Sequence, residues 1–253
     1  MDEVILKLLD LSKSFEGKKV LDAISLEVKE GEAVAILGKS GVGKTVLLKS
    51  MVGLLKADSG HIFFKGVDIT RLKRKDLFAI RKHFGFVFQG SALFDSMTVY
   101  ENIALPLEQR GLGRDEINIR VKTVLELVGL PGIENLLPHE LSGGMKKRVG
   151  IARAFVTQPQ IILYDEPTAG LDPVTGIRIN HLIGELNRKR NVTAIVVTHD
   201  IRSATSICDR IVLLSQGKLV VDVHVKNIEK VEHPEFVEFL KSAKIQEVRN
   251  DKK

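Results

Sequence analysis

Apolar and polar positions follow two periods along this 253-residue chain. Val4 to Leu9 reads as an opening strand, and Ser25 to Val28 alternates as a half-exposed antiparallel strand does. Glu32 to Leu37 is short and almost wholly apolar, which predicts a strand covered on both faces. A glycine-rich turn follows, then a helical stretch from Lys44 to Leu55. His61 to Lys65 and His83 to Phe88 read as two further strands. From about Thr98 to Thr157 the period becomes helical, with Pro106, Pro131 and Pro138 marking breaks. Ile161 to Tyr164 returns to a buried strand, and a helix from about Val174 to Arg190 leads into an apolar run from Thr193 to Thr198. Ile211 to Leu214 and Leu219 to Val223, joined through Gln216-Gly217-Lys218, read as a hairpin. The predicted fold is α/β: a parallel core, an antiparallel β flank and a helical lobe.

Composition changes this picture little. Apolar residues make up 44% and charged residues 28%, a globular balance, and the single cysteine, Cys208, excludes an intrachain disulfide framework. The excess of 38 basic over 32 acidic residues is scattered over Lys73-Arg74-Lys75, Lys146-Lys147-Arg148 and Arg188-Lys189-Arg190. That favours a solvated surface of mixed sign, and no nucleic-acid partner is expected. No apolar run approaches the roughly 20 residues of a bilayer span. The acidic start, Met1-Asp2-Glu3, is not followed by a leader's apolar segment. The expectation is a cytoplasmic protein, held at a membrane only by another chain.

The chemistry begins at the turn after Leu37. Gly38-Lys39-Ser40-Gly41-Val42-Gly43-Lys44-Thr45 matches G-x-x-x-x-G-K-[ST] between a buried strand and a helix. Glycines let successive N–H groups face one phosphate chain, and the helix start adds its positive end. Lys44 can reach β- and γ-phosphate oxygens, and the Thr45 hydroxyl can ligate Mg²⁺. The second element is the strand end Tyr164-Asp165-Glu166. A carboxylate there faces the crevice where ligands of parallel sheets bind. Asp165 suits Mg²⁺, through water, and Glu166 suits a general base for an attacking water.

Between these elements lies Leu141-Ser142-Gly143-Gly144-Met145, in which Ser142 can cap the helix that follows. The pentapeptide, so placed, resembles the signature motif of ATP-binding cassette (ABC) proteins, and other pieces agree in family order over residues 4–223. Gln89 resembles the Q-loop glutamine, Gly170-Leu171-Asp172 the D-loop, and Thr198-His199-Asp200 the switch histidine. Phe15 falls where the family's base-stacking aromatic lies, with core packing as its alternative. The resemblance implies an ABC-type P-loop ATPase with a RecA-like core, taking ATP and Mg²⁺. Lys44, Gln89, Glu166 and His199 would serve hydrolysis, and Thr45, Gln89 and Asp165 would hold the metal. Phe15, residues 38–45 and Ser142, Gly143 and Gly144 would bind nucleotide. The implied layout is one ATPase domain: core and flank in residues 1–90 and 158–223, helical lobe in 91–157, and an extension from 224 to 253. One phosphate loop and one signature per chain imply a homodimer, with the signature of one copy on ATP held by the other. Val46 and Met145 depart from the commonest pattern, where a second hydroxyl and a glutamine are usual.

Three runs narrow the resemblance: residues 44–49, 88–102 and 140–149 look like those of ATPases of the Mla/Mce lipid-transport group. That implies phospholipid transport between bacterial membranes from the cytoplasmic face of the inner membrane. The partners would be an MlaE-like permease, an MCE-domain protein and a small STAS-domain subunit. Ala92-Leu93-Phe94 and Met97 are candidates for permease docking, or for packing within the lobe. An importer of amino acids or other small solutes and a non-transport regulator with a membrane partner remain alternatives. His233-Pro234-Glu235 can open a helix whose Phe236, Val237 and Leu240 pack on the chain's own body, and Arg249 to Lys253 are expected to be disordered.

Overall fold

The computed structural model describes the backbone of residues 3–250 and the side chains of residues 3–242. The chain forms two compact units, Met1–Arg81 with Thr193–Lys253, and Lys82–Val192.

The first unit opens on a hairpin of two twelve-residue strands, β1 (Val4–Phe15) and β2 (Lys18–Lys29). Both run well past the segments whose alternation marks them. The register shifts between Leu8 and Leu11 and again between Leu11 and Lys13, so the period of two is broken mid-strand. Asp10 and Ala23 take left-handed φ of 48° and 49° there. Their N–H groups donate to the hydroxyls of Ser25 (2.9 Å) and Ser12 (3.0 Å), so the bulges leave neither donor unpaired. Strands β4 (Ser59–Phe64) and β5 (Val67–Asp68) complete an antiparallel sheet of order β2-β1-β4-β5.

In the same unit β3 (Ala33–Leu37) lies between β8 (Thr193–Thr198) and β9 (Arg210–Ser215), parallel to both. Every residue of β3 and β8 is buried, as an unbroken apolar run requires. The hairpin strand β10 (Lys218–His224) pairs antiparallel with β9. Helix α1 (Lys44–Met51) stops four residues before Leu55, ending at Val52 and Gly53. Helix α2 (Arg74–Arg81) buries none of its residues, which explains why no apolar stripe announces it. Helices α7 (Ile201–Ile207) and α8 (Pro234–Asn250) pack together, and Phe236 is fully buried, so α8 does pack on its own body. The expectation of disorder from Arg249 to Lys253 falls outside the residues whose placement is described in full.

The second unit pairs β6 (Phe84–Val87) with β7 (Ile161–Asp165) in parallel. Three helices connect them, α3 (Val99–Glu108), α4 (Arg114–Leu127) and α5 (Gly143–Phe155), and α6 (Pro173–Arg190) follows β7. Pro106 does not break α3 as expected. It sits inside the helix, which runs on for two residues to Glu108, and a Thr98–Glu101 capping box secures the start. The buried Tyr164 hydroxyl donates to Asn187 Oδ1 (2.9 Å), fastening α6 to β7 next to Asp165.

Candidate nucleotide-binding site

In the first unit β3 delivers the chain into the glycine-rich loop. Gly43 takes φ +109°, and a Cβ there would meet Val20 Cγ1 at 2.8 Å, so only glycine fits. The buried Lys44 ammonium donates back to the carbonyls of Gly38 (2.8 Å) and Lys39 (3.1 Å). The loop is thus curled around its own lysine, with Lys39, Ser40 and Gly41 exposed at the rim and Val42, Thr45 and Val46 half-buried. Lys39 pairs with Glu238 of α8 (3.0 Å), and that hydrogen bond, with Glu238's charge, raises its pKa. His199 is exposed at the turn after β8. The turn is fixed by Asp200, which accepts from the N–H groups of Arg202 (3.0 Å) and Ser203 (3.2 Å) and caps α7. Phe15 ends β1 at 43% exposure, with the Lys13 ammonium 5.4 Å from its ring centre. The core-packing alternative for Phe15 is therefore not realised.

The second unit holds the other candidates. Asp165 is buried at the end of β7, and Glu166, half-buried, has φ 46°. A left-handed non-glycine residue costs about 1–3 kcal/mol and persists where its surroundings determine it. Gln89 is exposed two residues beyond β6. After it, Ser91 and Ala92 are both left-handed, and helix α5 fixes this turn from three positions. Arg153 donates to the carbonyls of Ser91 and Ala92 (2.8 Å each), Gly150 lies against Ser91, and Lys147 donates to the carbonyl of Gln89.

Lys147 corrects the sequence reading. It stands in the basic run assigned to a solvated face, yet it is 5% exposed. Ile151 and Phe155, one and two turns further along α5, are apolar and buried, and that spacing could have placed Lys147 on the inner stripe. Burial lowers the pKa of its ammonium, while the charges of Asp165 and Glu166 pull it back up.

At the start of α5 the Ser142 hydroxyl accepts from the Met145 N–H (3.3 Å), the cap read from sequence. Gly144 lies so close to α6 that a Cβ would meet Thr175 Cγ2 at 2.8 Å. An open cleft of about 690 Å³ is lined here by Ser142, Gly143, Gly144, Gly170, Asp172 and Arg178, among others. Asp172 caps α6. The Thr175 hydroxyl first, and then backbone N–H groups, hold its carboxyl below the usual range.

Residues 21–169, more than half of the chain, match the ABC transporter family. The chain belongs to that family. Among curated relatives, the cassette is 44% identical over 226 residues to the methionine import ATP-binding protein MetN of Carboxydothermus hydrogenoformans. That match covers 89% of this chain and 67% of the relative. It is 43% identical to the "Probable ribonucleotide transport ATP-binding protein mkl" of Mycobacterium tuberculosis, over 83% of this chain and 59% of that one. The chain thus spans about two thirds or less of the length of these relatives. Among solved structures, it resembles the ATP-binding cassette MJ0796 in a dimeric, post-hydrolysis state bound to ADP and Pi. The TM-score is 0.79 at 35% identity, over 87% of this chain and 98% of that one. It also resembles cbiO1 of Clostridium perfringens (TM-score 0.82, 34% identity, 95% and 100% coverage). The fold is that of the ABC cassette. The nucleotide that such a cassette takes is ATP with Mg²⁺, and its reaction is hydrolysis of that ATP.

Proposed function

We propose that this chain is the ATP-hydrolysing subunit of an ABC transporter, working as a pair of copies beneath a membrane-embedded permease. The observation that carries the reading is the loop of residues 38–43 curled around the buried Lys44 ammonium, which the loop's own carbonyls at Gly38 and Lys39 hold at the start of α1. Residues 38–45 bind the phosphates, and Phe15 offers its exposed ring to the base. By the family's motifs the residues that would hold Mg²⁺ are Thr45, through its hydroxyl, Gln89 and, through water, Asp165; the ion would supply positive charge to the phosphate oxygens. Hydroxyl, amide and carboxylate oxygens are donors that suit Mg²⁺, which takes its other ligands from phosphate and water. Glu166 accepts a proton from the attacking water, and His199 contacts the γ-phosphate.

The chain carries one phosphate loop and one signature. In this reading Ser142, Gly143 and Gly144 of one copy close on the γ-phosphate held by the other, and hydrolysis releases the pair. The capped start of α5 and the cleft beside it support that role, because they present N–H donors at a helix N-terminus.

The relatives named for methionine import and ribonucleotide transport favour import of a small solute as the work driven. A second reading, phospholipid transport of the Mla/Mce type with MCE- and STAS-domain partners, rests on the runs at 44–49, 88–102 and 140–149. Among the described residues no helix is long and apolar enough to cross a membrane, so a permease would supply the attachment. The exposed Phe94 is the candidate contact.

Isolation of the complex from detergent-solubilised membranes tests the reading. The expected result is a permease with a bound small solute, and ATPase activity abolished by Lys44→Ala. Recovery of an MCE-domain protein with phospholipid would select the second reading, and a complex indifferent to Lys44→Ala would overturn both.

A further inference from the structure

Lys147 is a buried ammonium that neither the phosphate loop nor the signature accounts for. Burying such a group is costly unless its charge and its N–H donors are satisfied. Two elements satisfy it here. The carbonyl of Gln89, just beyond β6, accepts its hydrogen bond, and the carboxylates of Asp165 and Glu166, at the end of β7, attract its charge. Lys147 is thus bonded to the backbone of the Gln89 loop and lies within electrostatic reach of Asp165 and Glu166.

A purely structural role would be to hold the turn after Gln89, but that turn is already secured. Arg153 binds the carbonyls of Ser91 and Ala92, and Gly150 lets α5 approach Ser91 closely. A neutral donor at 147 would serve the Gln89 carbonyl alone. What the positive charge adds acts on Asp165 and Glu166, and Glu166 is the residue held in a strained backbone conformation.

We infer that Lys147 is a positioning residue of the hydrolytic site, tying the Gln89 loop to the Asp165–Glu166 strand end so that both adopt one arrangement. The inference rests on the ATPase reading above. Lys147 lies on the signature helix, so a movement of α5 would be felt at once by the glutamine loop and by the carboxylates.

The test compares Lys147→Met, Lys147→Gln and Lys147→Arg in steady-state ATP hydrolysis at saturating Mg²⁺. Urea unfolding is measured alongside, with hydrogen exchange of residues 88–92 in the nucleotide-free chain. The inference expects Lys147→Met and Lys147→Gln to lower kcat by about 10- to 100-fold, with KM for ATP within about threefold of wild type. Lys147→Arg should keep kcat within about threefold, and exchange at residues 88–92 should rise in Lys147→Met but not in Lys147→Arg. Wild-type kcat in Lys147→Met or Lys147→Gln would overturn it. So would an Arg variant as impaired as the Met variant, or a kcat loss that merely follows the fraction unfolded. Should Lys147→Met not fold, Gln against Arg decides. Glu166→Gln run in parallel separates the two levels: if it hydrolyses ATP like wild type, the assignment of the base falls, whereas Lys147 fails alone when Glu166→Gln is inactive and Lys147→Gln is not.

Discussion

Gly144 shows how closely the signature is fitted to its neighbours. A Cβ at this position would stand 2.8 Å from Thr175 Cγ2, a methyl on the first turn of α6. Gly144→Ala is therefore expected to destabilise the chain by about 1–3 kcal/mol, read as a lower urea midpoint. Thr175→Ser deletes that methyl and keeps the hydroxyl bonded to Asp172, so the double variant should regain most of the loss. Absence of recovery would mean that the clash is not with Thr175. The neighbouring Ser142 was legible as a cap, since serine before a helical run has a direct use for its oxygen. Lys147 was not, because a lysine between Lys146 and Arg148 looks solvated until the apolar stripe of α5 is followed back to it.

At the scale of elements, the segment after β6 depends on Asn102 of α3. Its fully buried amide accepts from the Phe94 N–H (2.8 Å) and donates toward the carbonyls of Phe94, Met97 and Thr98 at 3.0–3.1 Å. Asn102→Ala strands these groups and should cost about 1–3 kcal/mol, with an unchanged urea m-value if the loss is local. It should also loosen the turn that presents Phe94, so permease capture by the intact complex should weaken. The elements themselves were unequally legible. Strands β3 and β8 stand out because both faces are covered and the run is unbroken. The middle of β1 and β2 was hidden by bulges that shift the register, and α2 by having no buried face at all. Pro106 misled because it sits inside α3, two residues before its end, rather than at a break.

At the scale of the whole molecule, the candidate residues are divided between the two units. The phosphate loop, His199 and Phe15 belong to one, and Gln89, the signature and the carboxylates to the other. Sequence order and motif spacing made nearly all of them legible, since each motif sits at the end of a strand or the start of a helix. Their pairing across copies is the central claim, and it has a kinetic signature. ATPase activity per chain should be measured over a dilution series, with the mass of the species at each concentration followed by sedimentation. A pocket shared between copies predicts activity per chain that rises with concentration and levels off as the dimer saturates. Constant activity per chain, down to dilutions at which only monomer sediments, would contradict it.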